Sequence, residues 1–266
     1  MFEILPRIFA YKLSYLTGFP KLLPINYTIS LTYRCNSKCN TCNIYKKQCD
    51  HLTLDEYEKL FKNIGKSPYW ITFSGGEPFL KQEIVEIASL AYKYCKPAMI
   101  NIPSNGLLTN RIVESVEKIA KACPKSQIII NLSIDGIGEE HDRIRNVEGN
   151  YQKVLQTYKE LRKKNLNNVS IGIHSVISKF NVNNFTKISN TLMNMNPDQY
   201  ITEIAEERVE LGTMGLDITP SLFSYKAVID YLIHRIKNTK IKKRVNRITQ
   251  AFRIEYYNLV KKVLKY

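Results

Sequence analysis

Residues 27–42 read YTISLTYRCNSKCNTC, and this stretch decides the fold class. Its first half, Tyr27–Tyr33, is rich in β-branched and aromatic residues and predicts a strand. Its second half places Cys35, Cys39 and Cys42 directly beyond that strand's end. Working outward, strand and helix signals alternate. Thr53–Ile64 carries Leu54, Tyr57, Leu60, Phe61 and Ile64 at helical spacing. Strands are predicted at Tyr69–Phe73, Ala98–Ile102, Ser126–Ser133, Val169–Ile177 and Gln199–Ile204, the last being the weakest. Helices are predicted at Gln82–Tyr94, Leu108–Ala122, Tyr151–Lys163, Asn183–Met195 and Ser221–Ile236. The SQIIINLS run at 126–133 is continuously apolar at its centre, as a strand covered on both faces should be.

Six βα units in succession argue for an α/β fold with a parallel sheet. Periodicity leaves two arrangements open, an open doubly wound sheet or a curved partial barrel. In both, ligands gather at the carboxyl ends of the strands. The unusual residues fall there. The cysteine loop follows strand one, SGGEP (Ser74–Pro78) strand two, SNG (Ser104–Gly106) strand three, and SIDG (Ser133–Gly136) ends strand four.

Three crowded cysteines suit metal better than a disulfide framework. Thiolates bind soft metals, here zinc or an iron–sulfur cluster. A structural zinc site takes four ligands, and Cys49 or His51 would have to complete it. A [4Fe-4S] cluster held by three thiolates leaves one iron without a protein ligand, open to a substrate or cofactor. The spacing favours the cluster. Cys95 and Cys123 read as structural thiols, and His174 as a packed strand residue.

Composition limits what such a site can serve. Of the 266 residues 44% are hydrophobic and 24% charged, as in an ordinary globular protein. No apolar run is long enough to cross a membrane, and no secretory signal is evident, so a reducing cytoplasmic setting is expected. The net charge is +15, and eleven basic residues against one acid lie between Arg235 and Tyr266. That segment is a solvated basic helix face or a contact for an acidic partner or an anionic membrane. No nucleic-acid-binding motif accompanies it, and nucleic acid is not expected as a partner.

The cysteine spacing, Cys-x3-Cys-x2-Cys, resembles the signature of the radical S-adenosylmethionine (radical SAM) superfamily, and SGGEP resembles its second hallmark. SNG and SIDG fall where that superfamily places further cofactor-contacting loops. The resemblance runs from about Ile25 to Ile204. One departure is Thr41, where an aromatic residue often stands, with Ile44 and Tyr45 as substitutes for packing on adenine.

The resemblance implies a partial (β/α)6 TIM-type barrel at residues 25–219, with helical extensions at 1–24 and 220–266. It implies that Cys35, Cys39 and Cys42 hold the cluster and that S-adenosyl-L-methionine chelates its open iron. Gly75, Gly76 and Glu77 would meet the methionine amino group, and Ser104 and Asn105 would be further contacts. Ser133 and Asp135 would contact ribose or carboxylate, Arg145 the methionine carboxylate, and strand five would run beside the adenine. Reductive cleavage to a 5′-deoxyadenosyl radical, fed by a flavodoxin or ferredoxin, would abstract hydrogen from a peptide or small biosynthetic intermediate.

Glu203, Glu206, Glu207, Arg208 and Glu210 lie where such a substrate could be met, unless they begin a solvated acidic helix. The cysteine stretch resembles SPASM-type members, yet no cysteine follows Cys123, so auxiliary clusters are absent or the chain ends before them. SVISKFNV (Ser175–Val182) has a short likeness to viperin-like nucleotide-modifying enzymes. A zinc-binding interaction module with a basic tail is the alternative from another class. Phe2–Leu23 and Arg244–Tyr266 both read as amphipathic helices. Each either packs on the barrel or seeks a partner, and for the first the alternative to packing is a membrane surface.

Overall fold

The computed structural model describes residues 5–238 and 244–263. In chain order it contains α1 (Leu5–Thr17), β1 (Asn26–Thr32), α2 (Leu54–Ile64), β2 (Trp70–Gly75), α3 (Ile84–Cys95), β3 (Met99–Ser104), α4 (Thr109–Ala122) and β4 (Gln127–Ser133). There follow α5 (Glu139–Arg145), α6 (Asn150–Lys164), β5 (Val169–Ile177), α7 (Phe185–Asn194), β6 (Gln199–Ile204), α8 (Leu222–Asn238) and α9 (Arg244–Val263). Each strand expected between 27 and 204 is present within two residues of its predicted bounds. The short α5 was not expected, because its residues read as a motif rather than as a periodic element. The segment after β6 is irregular up to α8 instead of beginning an acidic helix, with Gly212 and Gly215 at positive φ.

The strands form one sheet in the order β1-β2-β3-β4-β5-β6, and every neighbouring pair is parallel. That order decides between the two arrangements. A doubly wound sheet reverses its direction of growth partway across, and this one never does. Right-handed crossovers that each advance by one strand put the connecting helices on one face. Strand twist then curls the sheet around the other face, giving a partial (β/α)6 barrel.

Alternation along each strand separates the two faces. On β2, Ile71 and Phe73 are fully buried among Tyr57, Phe61 and the other residues of the apolar core beneath the helices. Thr72 and Ser74 point to the concave side, where polar side chains bond one another along and across strands. Trp70 Nε1 donates to Thr72 Oγ1 (2.9 Å), Asn131 Nδ2 to Asn101 Oδ1 (2.8 Å), and Gln199 Nε2 to Asn131 Oδ1 (3.0 Å). Gly172 on β5 sits in register between Asn131 and Gln199. A Cβ there would lie 2.2 Å from Asn131 Oδ1 and 2.6 Å from Gln199 Cγ. The missing side chain lets the last bond pass over β5.

Helix starts follow local rules. Thr53 caps α2 with a reciprocal box: Thr53 Oγ1 accepts from Glu56 N (3.3 Å), and Thr53 N donates to Glu56 Oε2 (2.8 Å). The C-terminal helices pack on the barrel edge. Tyr225, Val228, Ile229 and Leu232 of α8 join the core. On α9 the inward residues are Ile254, Tyr257 and Val260, whereas Phe252, Tyr256 and Leu259 are exposed. Polar anchors set that rotation: Arg253 Nη1 donates to Tyr200 O (2.8 Å), and the Tyr257 hydroxyl meets Thr202 Oγ1 (2.7 Å). Met1–Ile4, Thr239–Lys243 and Leu264–Tyr266, including Lys240, Lys242, Lys243 and Lys265 of the basic segment, lie outside the described residues.

Gly172→Ala should therefore cost about 1–3 kcal/mol of stability, since the added methyl displaces the Gln199 and Asn131 side chains. Chemical denaturation measures this, and the cost should shrink when Gln199→Ala is added.

Candidate active site

The cysteine loop lacks helix or strand at its thiols, so its shape comes from neighbours. Three straps hold it. At α5 the last carbonyls, which a helix end leaves unpaired, accept from it. Asn40 Nδ2 donates to Arg143 O (3.0 Å), Asn40 N to Ile144 O (2.9 Å), and Ser37 Oγ to Arg145 O (2.9 Å). Beyond β6, Asn43 N donates to Leu211 O (2.9 Å) and Asn43 Nδ2 to Gly212 O (3.1 Å), while Lys47 Nζ donates to Val209 O (2.7 Å) and Glu210 O (2.8 Å). At β2, Gly76 N donates to Thr32 O (2.7 Å) and Glu77 N to Arg34 O (2.9 Å).

The last strap explains the paired glycines. A Cβ on Gly75, whose φ is +126°, would lie 2.2 Å from Thr32 O, and one on Gly76 would lie 2.3 Å from Arg34 O. Only glycine lets the second loop touch the first.

These straps close a cleft of about 250 Å³ at the carboxyl ends of the strands. Cys35, Cys39 and Cys42 line it together with Gly75, Gly76, Ser104, Asn105, Ser133 and Arg145. Thr41, Ile44 and Tyr45 line it too, and so do His174 and Val176 on β5. Across from the cysteines stand Glu203, Glu206 and Arg208. Glu207 is not in the lining and accepts from Gly215 N (2.6 Å), and Glu210 contributes only its carbonyl.

Two predicted contacts are placed behind the walls. Glu77 is 1% exposed. Its Oε1 accepts from Ser104 Oγ (3.0 Å) and Phe79 N (3.2 Å), and its Oε2 from Asn105 N (2.8 Å). Asn105 Nδ2 in turn donates to Asn36 Oδ1 (2.7 Å) and lies 3.8 Å from Cys35 Sγ. Asp135 is 0% exposed, accepts from Val176 N (2.8 Å), and pairs with Arg145 Nη2 (2.7 Å). Both carboxylates brace residues that do face the cleft.

Charge at the site follows from burial. Desolvation pushes Glu77 up to about 7, although the bonds from Asn105, Phe79 and Ser104 favour its anion. Burial opposes the Arg145 charge, but Asp135 and Cys39 more than restore it, holding the guanidinium firmly cationic. Its Nη1 lies 3.7 Å from Cys39 Sγ. Burial pushes the Cys35 thiol up to about 11 and raises Cys42, with neighbouring cysteine charge adding in each case. Burial pushes the His174 imidazole down, with Glu203 opposing, and its Nε2 lies 3.6 Å from Glu203 Oε2.

The residues fit an iron–sulfur cluster. Three soft thiol donors crowd one cleft, where a cationic body would repay the cost of ionising them. Among the described residues, no three metal-ligating side chains gather closely enough to hold a single ion. Cys49 is exposed, 3.9 Å from His51 Nδ1 and absent from the lining, so neither residue completes a zinc set with the triad. Cys95 and Cys123 are buried in the core against Phe61 O and Ala88 O, as structural thiols.

Sequence reasoning missed Asn40, Asn43 and Lys47, and it read Arg208 and Glu210 only as substrate-facing, not as part of the clasp on the cysteine loop. Asn at 36, 40 and 43 recurs through that loop, and this is the one local signal that could have found them.

Comparison with known proteins agrees with the geometry. The family described as the Radical SAM superfamily matches residues 29–192. Fe-coproporphyrin III synthase of Methanosarcina barkeri is 28% identical over 168 residues, covering 61% of this chain and 39% of that protein. The sporulation killing factor maturation protein SkfB of Bacillus subtilis is 29% identical over 150 residues, covering 54% of this chain and 34% of that protein. The chain thus spans between a third and two-fifths of these relatives' lengths. Streptococcus suis SuiB shares the fold, with a TM-score of 0.63 at 16% identity over 83% of this chain and 48% of that one.

Glu77 gives this site a pH signature. An acid raised on folding stabilises the native state below its ordinary value and ceases to do so as pH climbs through its raised one. In the cluster-free protein, stability relative to Glu77→Gln should fall by about 3 kcal/mol between pH 4.5 and 7. Denaturant midpoints of the two proteins across that range check both sign and size.

Proposed function

Because the chain belongs to the radical SAM superfamily, we propose that it is an enzyme in which Cys35, Cys39 and Cys42 hold a [4Fe-4S] cluster that binds S-adenosyl-L-methionine. The observation that carries this reading is one cleft lined by the three thiols, the Gly75–Gly76 backbone, Ser104, Asn105, Ser133 and Arg145. When bound, the cluster and S-adenosylmethionine supply one-electron cleavage of the sulfonium to methionine and a 5′-deoxyadenosyl radical, which takes a hydrogen atom from substrate. Residues 25–219 form the catalytic unit in this reading, with residues 1–24 and 220–266 as extensions.

The chain's own residues bind, orient and exclude water. Gly75 and Gly76 leave backbone open to an approaching amino group, and the Ser104 and Asn105 loop is fixed from below by Glu77. Arg145 offers a guanidinium to a carboxylate, with Asp135 behind it fixing its direction. Ser133 provides a hydroxyl for ribose, and Val176 with Tyr45 an apolar surface for a base. His174, Glu203, Glu206 and Arg208 form the wall left for substrate. A reductant such as a flavodoxin or ferredoxin, in the cytoplasm, would feed the cluster.

A peptide is the favoured substrate. SkfB is named for maturing a sporulation killing factor, and SuiB has been solved bound to its precursor peptide SuiA. The viperin-like reading rests on residues 175–182, and their buried polar groups are already spent. Ser178 N donates to Asn181 Oδ1 (2.8 Å), and Asn181 Nδ2 donates to Asp135 O (2.8 Å) and Val176 O (2.8 Å). Residues 178–181 of that segment form a turn closing β5.

Anaerobic reconstitution should give a brown protein with about four irons per chain. Dithionite should then release 5′-deoxyadenosine from S-adenosylmethionine. Cys35→Ala, Cys39→Ala or Cys42→Ala should each abolish both. Stoichiometric zinc without iron, or a cluster that yields no 5′-deoxyadenosine, would overturn the assignment.

A further inference from the structure

Helix α1 is turned the wrong way for a helix that exists to be packed. The side it lays on the barrel carries Arg7, Ala10, Tyr11 and Ser14, at spacings of three and four residues. Its polar groups are spent there. Arg7 Nη1 donates to Ser67 O (2.9 Å), Arg7 Nη2 to Lys66 O (3.2 Å), and the Tyr11 hydroxyl to Leu23 O. The side it shows to solvent is mainly apolar, with Ile8, Phe9, Leu13, Tyr15 and Leu16 around Lys12, and Phe19 exposed just beyond the helix. Phe9 is 72% exposed, Leu16 70% and Phe19 74%. Scattered apolar residues on a surface need no explanation, but six along one face of a helix and its following turn are more than scatter.

The charge around that face says what would cover it. Between Leu5 and Ile25 the only ionic side chains are Arg7, Lys12 and Lys21, all cationic. Lys12, Lys21 and Lys66 are exposed. A second copy of a chain of net charge +15 would bring like charges together there. An interface of anionic headgroups over acyl chains accepts both the aromatic and aliphatic face and the lysines within and beside it. At 13 residues α1 is about 20 Å long, too short to cross a bilayer of about 30 Å. Among the described residues no helix is long and apolar enough to do so.

We propose that α1 and residues 18–23 dock the protein on an anionic membrane surface, lying in the plane of the headgroups. The placement suits a working enzyme. Arg7 ties α1 to the loop that enters β2, and residues 18–25 lead into β1, so the helix sits at the amino ends of the strands. The cleft opens at the carboxyl ends. Docking therefore leaves the cleft mouth facing away from the lipid and open to a soluble substrate.

Sedimentation of the full chain with vesicles tests this. It should pellet with vesicles of equal parts phosphatidylcholine and phosphatidylglycerol, and remain in solution with phosphatidylcholine alone. The triple variant Phe9→Ser, Leu16→Ser, Phe19→Ser changes only exposed side chains and should keep the parent's unfolding temperature. It should lower the bound fraction about tenfold. Lys12→Glu with Lys21→Glu should weaken binding to the anionic vesicles and flatten its salt dependence. If the wild-type chain ignores anionic vesicles, or the folded triple variant binds them as well as wild type, the proposal is wrong. A concentration-dependent dimer abolished by the triple variant, without vesicle binding, would assign that face to a second copy instead.

Discussion

The cysteine loop cannot hold its own shape, and the rest of the site follows from how other elements hold it. Residues 35–43 contain neither helix nor strand, yet three thiols must meet within one cleft. The solution is to make the loop a hydrogen-bond partner for groups that are otherwise unsatisfied. The terminal carbonyls of α5, the carbonyls of residues 209–212 and the amides of Gly76 and Glu77 are such groups. Each bond is worth only about 1 kcal/mol net, and those to Arg143, Val209, Glu210 and Gly212 are solvent-exposed. The loop is thus pinned by the number of its bonds rather than by any one of them.

This constraint links the two ends of the barrel sequence. The clasp at 208–213 follows β6, while the loop it grips follows β1, and no β1–β6 hydrogen bonds join those strands. Side-chain contacts at the mouth do what strand pairing does in a closed barrel. Lower down, the concave face is kept polar and cross-bonded from β2 to β6. The main apolar core lies on the helix side, where Ile71, Phe73, Ile100, Ile102 and Ile130 are fully buried. Curvature, hydrophobic burial and an open mouth are therefore compatible on one sheet.

Much of this was legible in the sequence because it is local. Period-two and period-3.6 patterns located the six strands and their helices, and the loops at four strand ends marked the site. The choice of barrel over doubly wound sheet was not legible from periodicity, since strand order is a tertiary property. Residues 139–145 hid a helix because HDRIR carries too few apolar residues to show a period. The rotation of α9 was not legible either, because Arg253 and Tyr257 find specific partners on β6, and satisfied polar bonds outweigh apolar area at a rim that solvent still reaches.

Motifs reveal which residues assemble but not which atoms face the ligand, and the two carboxylates show why. Glu77 and Asp135 stand in loops that also supply Ser74, Gly75, Gly76 and Ser133 to the cleft, so proximity in sequence argues for contact. Burial argues the other way. An ionised carboxylate beneath a wall costs several kcal/mol unless its oxygens are met, and here Ser104, Asn105, Phe79, Val176 and Arg145 meet them. Those same partners are thereby fixed in direction. Asn105 is held toward Cys35, and Arg145 toward Cys39. A carboxylate aimed into the cleft would bind one ligand group and leave its wall loose. Placed behind, each orients two or more cleft-facing groups at once, including the side chains that stand over the thiols.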